Sequence, residues 1–451
     1  MKKPALFALL IFFFISYNTN AQVIKGIIID NISEEPVIDA YVFFKNTNTG
    51  THTNKKGRFN LKLPQNNRRA DTLTISHINY LTKEIINPVF TGRDSVFLQP
   101  KANILSEVQI EQNKKLKRRL DYKKMRSIPI GIYNFASFIK DGKIYILSGD
   151  VSYLVDAYQK AIQDYPYLNF YELQMRAMEN QTLMSYSDKL MVYNINTDSW
   201  KTEDIKLIKR ANHTANVIAD KAYIMGGRRL SDNRYFEMLA NKIEVYDLNT
   251  REVEIDKTNP HQSVNSASFS YNDNIIIMGG SVKKNKHDKK TFSDKVHVFD
   301  TKTGLWYDLT GMPSPKETSG VLIDDKIYLF GGYNNELLDD LESYDLKTGK
   351  WKAEGKLFDK IGKPAIASNG DDTVYFYSNG KLNLFNIKTR ILKQYLIDLF
   401  IESSKMQYFE NKLYLLGGYN GTRYEISPSA AVYSIDLDDL ENYRVHKIIK
   451  L

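Results

Sequence analysis

The sequence predicts an all-β protein: a small N-terminal unit of short strands, then a longer run of strand-rich repeats. Three observations carry that expectation. A module of apolar run, paired glycines, Tyr-Asp and Trp recurs along the C-terminal part. The 30 Tyr and 22 Phe, beside many β-branched residues, favour strands over helices. Gly, Asn and Thr-Gly turn signals punctuate both parts at short intervals.

The N-terminus reads as a leader. Lys2 and Lys3 precede an apolar run from Ala5 to Ile15, of about 11 residues, the length of a signal-peptide core and short for a bilayer span. Thr19-Asn20-Ala21 then places small residues for cleavage near Ala21–Gln22. Residues 1–21 are therefore read as a signal peptide, and the mature chain is expected to be exported: periplasmic, outer-membrane-associated or extracellular. No later segment is apolar enough to span a membrane, so no transmembrane segment is expected after cleavage. Cys is absent, which excludes disulfides, Cys-ligated metal, a thiol nucleophile and a lipidated N-terminal cysteine.

The formal charge of +9 is local. "KKLKRRLDYKKMR", Lys114 to Arg126, carries about eight positive residues against Asp121, roughly +7. The two leader lysines supply the rest, and the folded remainder is near neutral. Nucleic-acid binding needs a basic face on a folded domain, so no nucleic-acid partner is expected. Residues 112–130 are read as a solvated basic linker, with contact to anionic surfaces as the alternative.

From Val23 to about Glu111, "GIIIDNISEEPVIDAYVFFKNTNTGTHTNKKGRFNLKLP" and "DTLTISHINYLTKEI" alternate short strands with turn residues. With Gly26, Pro36, Ala40, Val42, Gly50, Thr53, Gly57, Phe59, Leu61, Leu73, Ser76 and Tyr80, this segment resembles the carboxypeptidase-regulatory-like domain. That resemblance implies a transthyretin-like β-sandwich over residues 23–111 serving as a rigid spacer. Asn79 replaces the family's usual glycine and is expected to take the left-handed conformation. "ILSEVQI", Ile104 to Ile110, looks like the closing strand. Peptidase chemistry is not expected, because no HxxE or HExxH ligand spacing exists and His52 and His77 stand alone.

Residues 131–451 hold the repeats. "KIYLFGGYNNELLDDLESYDLKTGKW" (Lys326 to Trp351) has relatives at Lys221–Val253, Asn274–Trp306 and Lys412–Leu437, and weaker copies at Lys143–Trp200 and Thr373–Leu392. That makes about six units averaging near 50 residues. Each reads as four strands: a first such as "ETSGVLI" (Glu317 to Ile323), an apolar second ended by glycines, a third ending Tyr-Asp or Phe-Asp, and a fourth opened by a large residue. Trp200, Trp306 and Trp351 all fall at that last position. The pattern resembles the kelch family, which implies a six-bladed β-propeller whose radial repetition protects its edges. Unit one departs with Ser148-Gly149, and unit five joins its strands through an Asn379-Gly380 turn. Every unit looks complete in sequence order, so no strand exchange between the chain ends is expected.

The long insertions fall on loops between second and third strands, which share one face with the links between blades. The longest, Asp150 to Asp188, contains "LVDAYQKAI" and "FYELQMRAME", spaced like short helices in the first blade. The insertions bring Arg228, Arg229, Arg234, Tyr235, Arg423 and Tyr424 to one rim, with His213 on the same face. These seven are the candidate ligand-binding residues, and Arg228 and Arg423 suit a carboxylate. Tyr153, Tyr158, Tyr165, Tyr167 and Tyr171 either stack on sugars or anchor the insertion. No metal-ligand spacing, catalytic set or cofactor motif is found. The galactose-oxidase type of kelch enzyme needs a Cys–Tyr crosslink that a Cys-free chain cannot make. Two functions remain: a binding or scaffolding module for a protein or glycan at the propeller face, and a sugar enzyme resembling the sialic acid mutarotases.

Overall fold

The computed structural model describes residues 23–451 except 46, 48, 63–71, 90–93, 102–115, 180–181, 232–235, 285–288 and 422–423. The leader, the Ile104–Ile110 strand and the start of the basic run lie outside the described residues. The chain divides into two units, Met1–Glu107 and Val108–Leu451.

The first unit has two sheets. One orders Arg58–Lys62, Val23–Asp30 and Ser95–Leu98; the other orders Gly50–His52, Tyr41–Phe44, Thr72–His77 and Tyr80–Ile86. Alternate residues turn inward, so Ile28, Val42, Phe44, Leu73, Ile75 and Leu98 are fully buried. A Cβ on Gly26 would lie 2.9 Å from the Phe59 ring. The buried Thr53 hydroxyl donates to the Val37 carbonyl at 2.7 Å and accepts from the Ala40 N–H. Tyr80 donates to Asp30 at 2.7 Å. Asn79 does not adopt the left-handed conformation expected of it; its N–H donates to His77 Nδ1 within an ordinary turn.

In the second unit the described residues form six blades, five of four strands and the fifth of six. Their first strands are Ala136–Lys140, Thr214–Ile218, Ala267–Tyr271, Glu317–Ile323, Ala365–Ser368 and Lys405–Phe409. Each touches the next and the last touches the first, closing a ring around a central channel. The apolar second strands are buried on both faces, as in Ile275–Met278. Both glycines of the pair are demanded by backbone. Gly331 (φ 61°) would place a Cβ 2.5 Å from the Ile361 carbonyl oxygen, and Gly332 (φ 136°) 2.6 Å from that of Glu317.

The Tyr-Asp signature splits into two jobs. The aromatic ring packs on the cross-strand tryptophan: Tyr193–Trp200, Phe299–Trp306 and Tyr344–Trp351 have centroids 4.9, 4.8 and 4.8 Å apart at 32–38°. The following Asp turns the chain, since Asp345 accepts from the N–H groups of Lys347 and Thr348, and Asp300 from those of Lys302 and Thr303. In unit five Asn379 (φ 43°) and Gly380 (φ 74°) make the expected two-residue hairpin turn.

Two expectations are corrected. The sixth blade is completed by Lys123–Lys124, which pairs antiparallel with Val432–Asp436. The last strand, Lys447–Lys450, instead adds to the outer edge of the fifth blade beside Ile391–Ile397. The chain ends are therefore interleaved. Nor is the basic run a solvated linker from Lys117 onward. Arg119–Leu120 pairs with Leu396–Ile397, and the Met125 and Ile128 N–H groups donate to Val432 and Ala430. Leu120 and Ile128 are buried, while Arg119 pairs with Asp398 at the surface. The open edge of the last blade needs backbone partners, and long cationic side chains can reach water from a docked strand.

The insertion of the first blade holds α1 (Ala157–Asp164) and α2 (Phe170–Glu179). Asp156 caps α1, and Asn169 with Glu172 forms a capping box on α2. Leu154–Val155, expected as the start of a helix, is a strand paired with Glu425–Ile426 of the last blade's loop.

Candidate functional site

The loops between second and third strands, with the links between blades, build a cup of 680 Å³ over one end of the channel. Every blade contributes: Tyr133 and Leu154 from the first, Arg228 and Glu237 from the second, Ser281 and Lys290 from the third. Tyr333 and Leu337, then Lys363, then Tyr419 and Ile426 complete the circle. Short extra hairpins form the walls: Arg228–Leu230 with Glu237–Leu239, and Ser281–Lys284 with Lys290–Phe292. Met238, Val282 and Leu337 are exposed apolar side chains on this rim.

The floor is polar for a topological reason. Asn134, Asn212, Asn265, Glu317, Lys363 and Ser403 occupy one equivalent position. Each lies two residues before the residue paired with Leu147, Met225, Met278, Phe330, Tyr377 or Leu416 respectively. Asn134, Asn212, Asn265 and Ser403 take left-handed backbone (φ 51–59°), where Asn fits best after Gly. Adjacent blades link here: the Asn212 N–H donates to the Asn134 carbonyl, and the Asn265 N–H to that of Asn212. All six line the cup, and all but Glu317 also line a lower channel of 200 Å³, so the ring they make is a neck between the two.

Charges at the neck are arranged in two groups. Glu317 is buried, and its Oε1 accepts from Ser281 Oγ and Lys290 Nζ, both at 2.7 Å. Its Oε2 accepts from Asn265 Nδ2 at 2.9 Å. Burial opposes its charge, but Lys363, Lys290 and Ser281 outweigh that and hold its carboxyl below the usual range. Lys363 donates to Asn265 Oδ1 at 2.5 Å. Burial pushes its ammonium down to about 7, with Glu317 opposing the fall and Lys405, Lys290 and Arg228 adding to it. Opposite, Arg228 pairs with Glu237 at 3.0 Å and lies 3.6 Å from Asp150, beneath the Tyr186 ring. Tyr186 donates to Glu237 at 2.5 Å. Burial raises the carboxyl of Asp150, against the Ser152 N–H and Arg228 that favour its charge. The Arg228 Nε is buried without a partner among the described residues.

Of the seven expected site residues, Arg228 lines the cup. Arg229 is half-buried on the same short strand and does not line it. His213 is buried one residue past the neck, with Nε2 2.9 Å from the Leu147 carbonyl, and burial holds it neutral. Tyr424 is half-buried, and its carbonyl accepts the Asp156 N–H, which fastens the insertion. Arg234, Tyr235 and Arg423 lie outside the described residues. Among the insertion tyrosines, Tyr153 bonds Glu425, Tyr158 meets Phe170, and Tyr165 lies under Arg176. Tyr167 and Tyr171 face solvent. Among the described residues no cluster of His, Asp and Glu is arranged to hold a metal. The neck itself escaped the sequence reading. Its signal was present as "NFA", "NHT" and "NSA" ahead of three first strands, but Glu317, Lys363 and Ser403 break the pattern.

Comparisons agree with this architecture. Residues 179–364 match the KLHDC2/KLHL20/DRC7 Kelch-repeats domain, and residues 24–110 match the CarboxypepD_reg-like domain. Alpha-scruin of Limulus polyphemus is 27% identical over 158 residues, 34% of this chain and 17% of the relative. Kelch-like protein 36 of Bos taurus is 21% identical over 290 residues, 57% of this chain and 44% of the relative. The chain thus spans less than half the length of these relatives. The solved structure of YjhT superposes with a TM-score of 0.50 at 13% identity, covering 69% of this chain and 99% of that one, a likeness of fold.

Proposed function

We propose that this chain, a kelch-repeat propeller preceded by a carboxypeptidase-regulatory-like domain, is an exported binding protein of the cell envelope. Its recognition surface is the loop-built cup at the channel mouth. One observation carries this reading: a 680 Å³ concavity with an apolar rim and a charged floor, assembled from all six blades. The ligand is a protein segment or a glycan, received by the rim side chains and oriented by the floor. The apolar leader with its Thr19-Asn20-Ala21 site supports export.

Peptide and glycan arrays probed with the full chain test the cup, using Met238→Asp and Leu337→Asp as controls. Both side chains are about half exposed, so melting temperature should hold while binding falls at least tenfold. Undiminished binding by both variants would move recognition elsewhere. N-terminal sequencing of envelope-fractionated protein tests export: a start at Gln22 supports it, and an intact Met1 in the cytoplasm opposes it.

Lys363 favours a second reading, a kelch-type sugar enzyme. An amine that titrates near 7 beside Glu317 is suited to proton transfer. Anomeric exchange of reducing sugars, followed by NMR and lost in Lys363→Met, would establish it; equal rates with and without protein would exclude it.

A further inference from the structure

Below the neck, the residues paired with Leu147, Met225, Met278, Phe330, Tyr377 and Leu416 form the next layer of the first strands. Five blades place small side chains there: Ala136, Thr214, Ala267, Ser319 and Ala365. The sixth places Lys405. Its ammonium lines the 200 Å³ channel and makes no hydrogen bond or ion pair with any described residue. Lys363, at the neck of the neighbouring fifth blade, also lines that channel, and its one hydrogen bond among the described residues goes to the neutral Asn265 amide oxygen. The carboxylate facing Lys363 is Glu317, and both of its oxygens are already occupied by Ser281, Lys290 and Asn265. Arg228 is likewise committed to Glu237 and Asp150. The channel therefore holds two basic side chains, Lys363 and Lys405, and no carboxylate among the described residues that line it. A partly desolvated cation without a partner is costly. The hydroxyls of Ser319 and Ser404 can donate to an anion, as can the second N–H of the Gln407 amide, whose first donates to Ser137 at 2.9 Å.

We propose that the lower channel is an oxyanion site in which a carboxylate sits between Lys363 and Lys405. The carboxylate enters through the cup, either as a free small acid or as the acidic group of a larger ligand held by the rim. The second case rests on the cup being the recognition surface; the first does not. Because Lys363 is largely neutral above pH 7 without a ligand, an anion bound there draws a proton onto it. Glu317, Lys405, Lys290 and Arg228 are the charged groups acting on that equilibrium, and only the anion is added on binding.

Calorimetry on the full chain in chloride-free buffer tests this with three probes. Acetate reads a free acid, glucuronate reads the same group on a sugar long enough to reach the cup, and glucose is the neutral control. Acetate or glucuronate should bind at least tenfold more tightly than glucose and raise the melting temperature. At pH 8 each should take up part of a proton, measured in buffers of different ionisation enthalpy. Lys405→Met should melt higher than the parent without anion, yet lose at least tenfold in anion affinity; Lys363→Met should abolish the proton uptake. Equal acetate and glucuronate affinity in parent and Lys405→Met would overturn the site. Glucose matching glucuronate, with acetate silent, would also overturn it while leaving the cup intact as a recognition surface. Acetate binding that survives Met238→Asp and Leu337→Asp separates the channel from the cup.

Discussion

The Met125 N–H donates to the Val432 carbonyl at 2.9 Å, and this bond joins the N-terminal edge of the propeller to its last repeat. Leu120, five residues earlier, is 3% exposed within the same docked segment. Ring closure therefore depends on a stretch that charge alone marks as solvent. Leu120→Asp should cost about 2–4 kcal/mol, a buried unpaired charge, whereas the exposed Lys123→Ala should stay within about 0.5 kcal/mol. Denaturant unfolding measures both. Similar small effects for the two would mean that the segment does not hold the ring shut. Trypsin should likewise spare Lys123–Arg126 until global unfolding.

Glycine pairs and the hairpin glycine make separable predictions. Gly331 and Gly380 both have left-handed φ, 61° and 74°, so either substitution to alanine costs about 1 kcal/mol of backbone strain. At Gly331 the new Cβ also meets the Ile361 carbonyl oxygen at 2.5 Å, which is backbone. At Gly380 it meets the exposed Phe400 ring, which can swing away. Gly331→Ala should therefore lose about 2 kcal/mol more than Gly380→Ala. Thermal melts in the reverse order would contradict the packing between blades.

Buried histidines set an acid limit. Burial holds His213 well below its ordinary value and His261 at about 4. Over the range from 6.5 downward, the unfolded chain binds protons on these rings that the folded chain refuses. Their neutral form is accommodated above 6.5, and stability falls as pH drops from there towards 4. Each such ring adds up to about 1.4 kcal/mol per pH unit. His213→Gln, whose amide can donate to the Leu147 carbonyl, should flatten the slope between pH 6.5 and 5. An unchanged slope would mean that His213 is protonated in the folded state.

The helical insertion is not part of the ring; it follows Leu154, which lines the cup. Leu154–Val155 pairs with the last blade's loop, and Lys160 reaches Glu425 at 2.9 Å. Replacing Ala157–Glu179 by a short Gly-Asn linker should leave the propeller folded, because Tyr153 still bridges to Leu183. Ligand binding should fall at least tenfold. Failure to fold would make the insertion structural, and undiminished binding would place recognition away from it.

Much of the fold was legible because its signals are local. The Tyr344–Trp351 pair, the Asp345 turn and the Gly331-Gly332 break are read from residues within about 20 positions of one another. The expected second helix coincides with α2, whose capping residues are also local. Harder to see were the polar anchors between blades. Glu244, His297 and Glu342 share one register position on third strands, opposite Ile224, Ile277 and Leu329. Each meets a residue from the link between blades: Arg210 at 2.9 Å, His261 at 2.7 Å and Lys316 at 2.6 Å. Three chemistries at one place leave no common motif to read.

The sequence by itself determined the two-part all-β plan, the repeats, the strand and turn assignments and the side on which the long loops gather. These follow from period-two burial and from turn chemistry, which act between near neighbours. The tertiary structure alone decided how the ring closes, which charges meet and what the channel contains. Lys123–Lys124 had no visible claim on Val432–Asp436 until the last blade's free edge came beside it. Asn134, Asn212, Asn265, Glu317, Lys363 and Ser403 are dispersed along the chain and become neighbours only through radial closure. Burial and charge pairing depend on that closure, so Lys405 reads as one more surface lysine until the ring encloses it.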